Sequence, residues 1–269
     1  MKRLANVLAI DIGNTRAKFG VFHVDQHNSV EPISIVACVL DQTPSLVNAL
    51  TAWWQTQNLP APIHAVIAGS DPETRDQVIG SWPFAECRPA VVASCQQIPL
   101  TVDVDTPAKV GIDRLLNVFA AGRLLATDRA VIVVDSGTAT TVDLMTADRT
   151  FRGGSILPGL RLSAYAMHDY TARLPLISVD DEPAQLPDVP GRNTKDAMRA
   201  GLFIGQLGAV RELVDRLSAA AVQRFAQCEP PEIVVTGGGG RQVVQHLAGA
   251  TFIDSLALHG LAMLANESQ

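Results

Sequence analysis

Two short segments carry residue types that handle phosphate, Asp11-Ile12-Gly13-Asn14-Thr15 and Asp135-Ser136-Gly137-Thr138-Ala139-Thr140. In each, the glycine lets backbone approach an anion closely, and the amide and hydroxyl side chains that follow can donate hydrogen bonds. The aspartate is not there to bind phosphate, because like charges repel. Its chemistry is to hold a cation, directly or through water, or to accept a proton. A single Asp-x-Gly is ordinarily just a turn. Here each follows a short apolar run, Val7–Ile10 in one case and Val131–Val134 in the other, and the two aspartates lie 124 residues apart. That is the pattern of a duplicated unit.

The elements that must position these turns follow from the same pattern. Both apolar runs read as buried strands, and the β-prone segments Ala17–Val24 and Thr141–Met145 read as the second arms of hairpins. His64–Ala68 and Glu232–Thr236 are further strands. Asp71-Pro72 opens a helix with a polar cap and proline in its first turn. Helical spacing predicts a helix over Asp113–Ala126, a longer one over Asp196–Ala220, and one over Arg241–Ala248. Trp53-Trp54 reads as the apolar face of another. Gly201, Gly205 and Gly208 each cost the long helix about 1 kcal/mol relative to Ala, which close packing against another helix or subunit would offset. The proline-rich acidic stretch Asp180–Arg192 reads as a solvated loop. The expected halves are residues 1–120 and 121–269.

Composition excludes several classes. The chain has 269 residues, 47% hydrophobic and 18% charged, which is globular rather than disordered. With 21 basic and 27 acidic residues, its net charge of −6 argues against nucleic acid as the partner. Its four cysteines have neither disulfide-framework nor zinc-site spacing. The opening MKRLANVLAIDIGN lacks a signal-peptide core, and no apolar run is long enough to span a bilayer, so the expectation is a soluble, cytoplasmic protein with no membrane partner. Strand–glycine loop–helix also serves Rossmann and P-loop proteins. However, no G-x-x-x-x-G-K-[ST] occurs, no G-x-G-x-x-G follows the first strand, and Gly237–Gly240 comes too late to be a first turn.

Six motifs occur in a telling order: Asp11–Thr15, Gly111-Ile112-Asp113-Arg114, Asp135–Thr141, Gly153-Gly154-Ser155-Ile156-Leu157-Pro158-Gly159, Asn193-Thr194 and Thr236-Gly237-Gly238. This succession resembles the type III pantothenate kinases, members of the acetate and sugar kinase/Hsp70/actin superfamily. Leu256–Leu261 is similar to that family's C-terminal helix. The resemblance implies an α/β fold of duplicated ribonuclease-H-like (actin-like ATPase) halves, with mixed β-sheets flanked by helices. It implies ATP-dependent phosphorylation of the primary hydroxyl of pantothenate to 4'-phosphopantothenate, the first step of coenzyme A biosynthesis, by a homodimer. Two alternatives are a non-catalytic accessory or regulatory relative, and a kinase of another small hydroxy-acid. Chaperones and filaments of the superfamily are excluded by length.

The resemblance also assigns residues. Asp113 is the expected base, at the mouth of a helix whose dipole favours a carboxylate; capping that helix is its bland alternative. Gly111, Ile112, Asp113, Arg114 and Thr194 fall in the substrate pocket, with the Arg114 guanidinium suited to the carboxylate of pantothenate or to a structural pair. Without the resemblance, Asn193-Thr194 is an N-cap. Asp11, Ile12, Gly13, Asn14, Thr15, Arg16, Ala17 and Lys18 correspond to the ATP-binding segment, and Thr138 to a further ATP contact. Asp135 corresponds to a monovalent cation site for potassium or ammonium, and magnesium accompanies ATP. Two departures stand out. Val104 sits where the family usually has Tyr, three residues before Pro107, and Ala68-Gly69-Ser70-Asp71-Pro72 replaces a more apolar pattern. His168 and Tyr170 read as packing or dimer-contact residues.

Overall fold

The apolar run at Val7 forms the middle of β1 (Ala5–Ile12), where Val7, Leu8, Ala9 and Ile10 are all buried. A strand hidden on both faces has neighbours on both sides, and the pairing supplies them. β2 (Arg16–Val24) and β3 (Val30–Val39) add antiparallel on one edge, and β4 (His64–Gly69) and β5 (Ala90–Val92) add parallel on the other. The sheet order is β3-β2-β1-β4-β5. This computed structural model describes residues 5–25, 29–40, 43–60, 62, 64–125, 128–179 and 186–267. Met1–Leu4 and residues 180–185 of the expected acidic loop lie outside them. Residues 186–192 contain neither helix nor strand.

Alternation along β1 divides the core of this sheet. Leu8, Ile10 and Ile12 pack with Phe19 and Val21 of β2 against Leu46, Leu50 and Trp54 of α1 (Thr43–Thr56) and Val78 of α2 (Pro72–Gly80). Asp71 caps α2 through its carboxylate, which accepts from the N–H groups of Glu73 (3.1 Å) and Thr74 (3.3 Å). The Thr74 hydroxyl and N–H hold that carboxyl below its ordinary pKa. The opposite face is covered by α7 (Leu256–Glu267), which packs on α3 (Ile112–Leu124). Phe22 meets His259 there edge-on, with ring centroids 5.0 Å apart. A short strand, β6 (Thr101–Val102), precedes α3.

The second sheet repeats the scheme. β7 (Val131–Ser136) pairs antiparallel with β8 (Ala139–Met145), and β8 with β9 (Thr150–Pro158). On the other side β10 (Glu232–Thr236) and β11 (Ala250–Phe252) run parallel to it, giving the order β11-β10-β7-β8-β9. Strand for strand this is the order and sense of the first sheet. Ile132, Val134, Val142 and Leu144 pack on Val210 and Val214 of α5 (Thr194–Phe225), and α4 (Leu160–Asp169) contacts α5 and β9.

Three elements differ from their sequence expectations. The long helix starts earlier, because Asn193 caps it (Oδ1 accepts from Asp196 N–H, 3.0 Å), and it runs to Phe225, where Ala226 turns left-handed at φ 52°. The helix expected over Arg241–Ala248 is only α6 (Gly240–Val244), since tight bonds from His246 N–H to Val243 and from Leu247 N–H to Val244 close it off. The chain forms two compact units, Met1–Leu125 with Ser255–Gln269, and Ala126–Asp254. The second therefore excludes α7, which the division at residue 120 had kept with the C-terminal half.

Candidate active site

In the first unit the Asp11 turn is a tight hairpin. Gly13 N–H donates to Arg16 O at 2.9 Å, and Asp11 and Lys18 are directly opposed across the ladder. Opposed residues share a face of the sheet. Ile12, Ala17 and Phe19 belong to the α1 side, so Asp11 and Lys18 rise from the α7 side. The turn is tied down at its flanks: Ser70 N–H donates to Ile12 O (2.9 Å) and Leu40 N–H to Thr15 O (3.0 Å). Asn14, Thr15 and Arg16 are exposed, whereas Ile12 and Ala17 are fully buried. Those last two can therefore reach a nucleotide only through backbone.

Asp113 is the second residue of α3. The cap position belongs to Gly111, which makes no side-chain cap bond, and a Cβ there would lie 2.5 Å from Asp113 Oδ1. The bare glycine leaves room for the carboxylate at the helix mouth. Asp113 and Arg114 are half-buried, whereas every residue from Leu115 to Gly122 is buried. A helix buried on all sides is held firmly, so the carboxylate sits on a rigid support.

In the second unit the Asp135 turn is enclosed by glycines. Gly237, at φ 89°, adopts a conformation that side chains resist, and a Cβ there would collide with Asp135 Oδ1 and lie 2.6 Å from Ser136 O. Gly239 donates to Ser136 O at 3.0 Å. Gly159 donates to Thr138 O at 3.0 Å, and a Cβ on it would lie 2.6 Å from that oxygen. Alternation sends Ser136 and Thr140 toward the α5 side, with Val134 and Val142, and sends Asp135 and Thr141 to the other. Thr140 is fully buried, and its hydroxyl accepts from Gln206 Nε2 of α5 at 2.6 Å.

Thr194 is not brought to this turn. It begins α5, and Gln206 lies twelve residues on, about 18 Å along the axis at 1.5 Å per residue. Beside Thr194 lies a cavity of ≈ 450 Å³ lined by Asp188, Arg192, Asp196, Arg199 and Phe203 among others. The sequence did not reveal Gly159, Gly237 or Gln206 as parts of the site. Both glycines stood in motifs without a role, and Gln206 carried no signal at all.

Two sheets of one strand order, each with an Asp-x-Gly hairpin on its central strand, have the architecture of the actin-like ATPases and sugar kinases. A solved structure of a Baf family protein from Campylobacter jejuni superposes with a TM-score of 0.57 at 18% identity, covering 97% of this chain and 98% of that one. A Listeria monocytogenes protein described as a candidate N-acetylmannosamine kinase gives 0.50 at 14% identity, covering 98% and 100%. These likenesses concern the fold. The family model for type III pantothenate kinase matches residues 7–216. Type III pantothenate kinase of Chlorobaculum parvum is 30% identical over 96% of this chain and 93% of its own length. That of Dehalococcoides mccartyi strain 195 is 32% identical over 98% of each. The chain belongs to the type III pantothenate kinase family.

Proposed function

We propose that this protein transfers the γ-phosphoryl group of ATP to the primary hydroxyl of pantothenate, giving 4'-phosphopantothenate and ADP, the entry step to coenzyme A. The observation that carries this reading is the Asp113 carboxylate at the mouth of buried helix α3, over a cap residue with no side chain. Asp113 takes the proton as the hydroxyl oxygen bonds to phosphorus and the bond to ADP breaks. Phosphoryl transfer otherwise needs alignment and charge neutralisation. Backbone and side chains of residues 11–18 and Thr138 take the nucleotide. Gly111, Ile112 and Arg114 hold the acid. A non-catalytic accessory role does not require Asp113 and both Asp-x-Gly turns, and all three are present.

The surroundings of Asp135 suit a monovalent cation. Gly137 and Gly237 leave the flanks of its carboxylate without side chains, and an oxygen ligand is the right chemistry for potassium or ammonium. Such an ion would neutralise charge beside the phosphates. Magnesium would enter with ATP, with Asp11 in its hydration shell. Magnesium bound with ATP would take phosphate oxygens and waters as ligands.

The exposed face of α5 supports a homodimer. Gly201, Gly205 and Gly208 are exposed on one face, and a Cβ on any of them would meet nothing within 4 Å. A second subunit packed on this face would use the close approach they allow. Exposed Leu162, Tyr165 and Tyr170 on or just after α4 add apolar surface, whereas His168 is bonded locally to Leu174 O (2.9 Å). Among the described residues no helix is long and apolar enough to cross a membrane. The test is ATP consumption across a panel of small hydroxy-acids, with and without potassium. Turnover dependent on pantothenate supports the reading, and turnover with a different acid only would reassign the substrate.

A further inference from the structure

Among the contacts around the Asp135 turn, one joins it to a helix otherwise remote from nucleotide chemistry. Thr140 is completely buried, and Gln206 Nε2 donates to its hydroxyl at 2.6 Å. Thr140 is opposed to Ser136, the residue after Asp135, and lies two residues beyond Thr138. The bond therefore grips the hairpin from the α5 side, while Asp135 and Thr141 face away. Above the grip, backbone bonds hold the turn: Gly159 on Thr138 O, Gly239 on Ser136 O, and Gly137 on Ala139 O (3.2 Å). Gln206, from an element 66 residues away in sequence, fixes the turn's height over α5.

We infer that Gln206 is a positioning residue for the nucleotide turn. It sets Thr138 and Asp135 in register for the phosphates through Thr140, without touching substrate. The glycine face of α5 lies on another side of the helix from Gln206, at 100° per residue. One helix would thus carry both the turn's anchor and the proposed subunit contact. This inference rests on the kinase reading.

The experiment measures ATP affinity by calorimetry, with magnesium and potassium present, on the full chain. Gln206→Met keeps shape and loses the donor, and Thr140→Val keeps shape and loses the hydroxyl. Each is expected to weaken ATP binding roughly tenfold, with the double variant no worse than either single one, as coupled partners require. Thr140→Ser retains the hydroxyl and should restore affinity to near the parent's. Michaelis constants for ATP should rise in parallel, with turnover at saturation within a few-fold. Melting temperature serves as the control for folding. If Gln206→Met binds ATP as the parent does, whatever its melting temperature, Gln206 is only a packing residue and the inference falls. If Gln206→Met does not fold, Thr140→Val against Thr140→Ser decides alone, and equal affinities overturn it. A parent that binds no ATP would instead defeat the kinase reading, and this inference with it.

Discussion

Lys18 stands directly opposite Asp11 across the first hairpin, and in the second hairpin the residue opposite Asp135 is Thr141. The two halves share strand order, strand sense and turn chemistry, but the residue opposite the aspartate is charged in one and neutral in the other. In the first turn a lysine shares the aspartate's face of the sheet. In the second the opposed residue is neutral and glycines flank the carboxylate. The duplicated turns thus differ at the position facing the aspartate, and the cation proposed above belongs to the turn without the lysine.

Activity should therefore be low in sodium or Tris buffers and rise with potassium or ammonium. Asp135→Ala should flatten that response while ATP still binds through the first turn. Steady-state rates against potassium concentration measure it. Equal activity in buffer free of potassium and ammonium would remove the cation from the account.

Asp113→Asn should lower turnover by roughly 10²–10⁴-fold, the usual range for a general base. It keeps shape and hydrogen-bonding capacity, so ATP affinity should stay within a few-fold of the parent's. Near-normal turnover would reduce Asp113 to a charge favoured by the helix dipole.

Gly205→Leu separates folding from assembly. The site is open within the chain, and leucine is the better helix former by roughly 0.8 kcal/mol. The subunit should become more stable while dimerisation weakens. Sedimentation at micromolar concentration reads the second effect. A dimer as tight as the parent's would take this face out of the interface.

Gly260→Ala should destabilise the first unit. A Cβ there would lie 2.8 Å from the backbone oxygen of Leu116, so α7 and α3 would have to move apart. Overpacking of this kind costs about 1–3 kcal/mol, set against about 1 kcal/mol that alanine gains in helix propensity. Urea denaturation measures the balance against Gly201→Ala, at an open helical site, which has the gain without the clash. A midpoint raised as much as in that control would contradict so tight a crossing.

What was legible in the sequence was local. Val7–Ile10, Val131–Val134 and Glu232–Thr236 are apolar runs that can only be buried strands, and Asp71-Pro72 carries its own cap chemistry. β9 was illegible because Gly153, Gly154 and Pro158 suppress any strand pattern. Gly154 is required there, since a Cβ would lie 2.7 Å from the Asp143 Cα. The phosphate-type turns were legible because two copies reinforced each other. Gln206 was not, since the role proposed for it comes from a contact 66 residues away. For Asp113, the residues alone left base and cap open, and only the resemblance favoured base; in the structure Gly111 holds the cap position.

Because α7 completes the first unit, the order of synthesis and the order of packing disagree. The ribosome makes β1 to α3, then the whole second unit, and only afterwards the helix that covers the face bearing Gly20 and Phe22. During that interval the nascent first unit lacks one wall of its core, while the second, contiguous in sequence, can close by itself. Exposed apolar surface of that kind is what chaperones hold and what aggregates. In stalled nascent chains the later-made unit should become protease-resistant before the earlier one, and any lesion that removes α7 should strand the first-made half rather than the last.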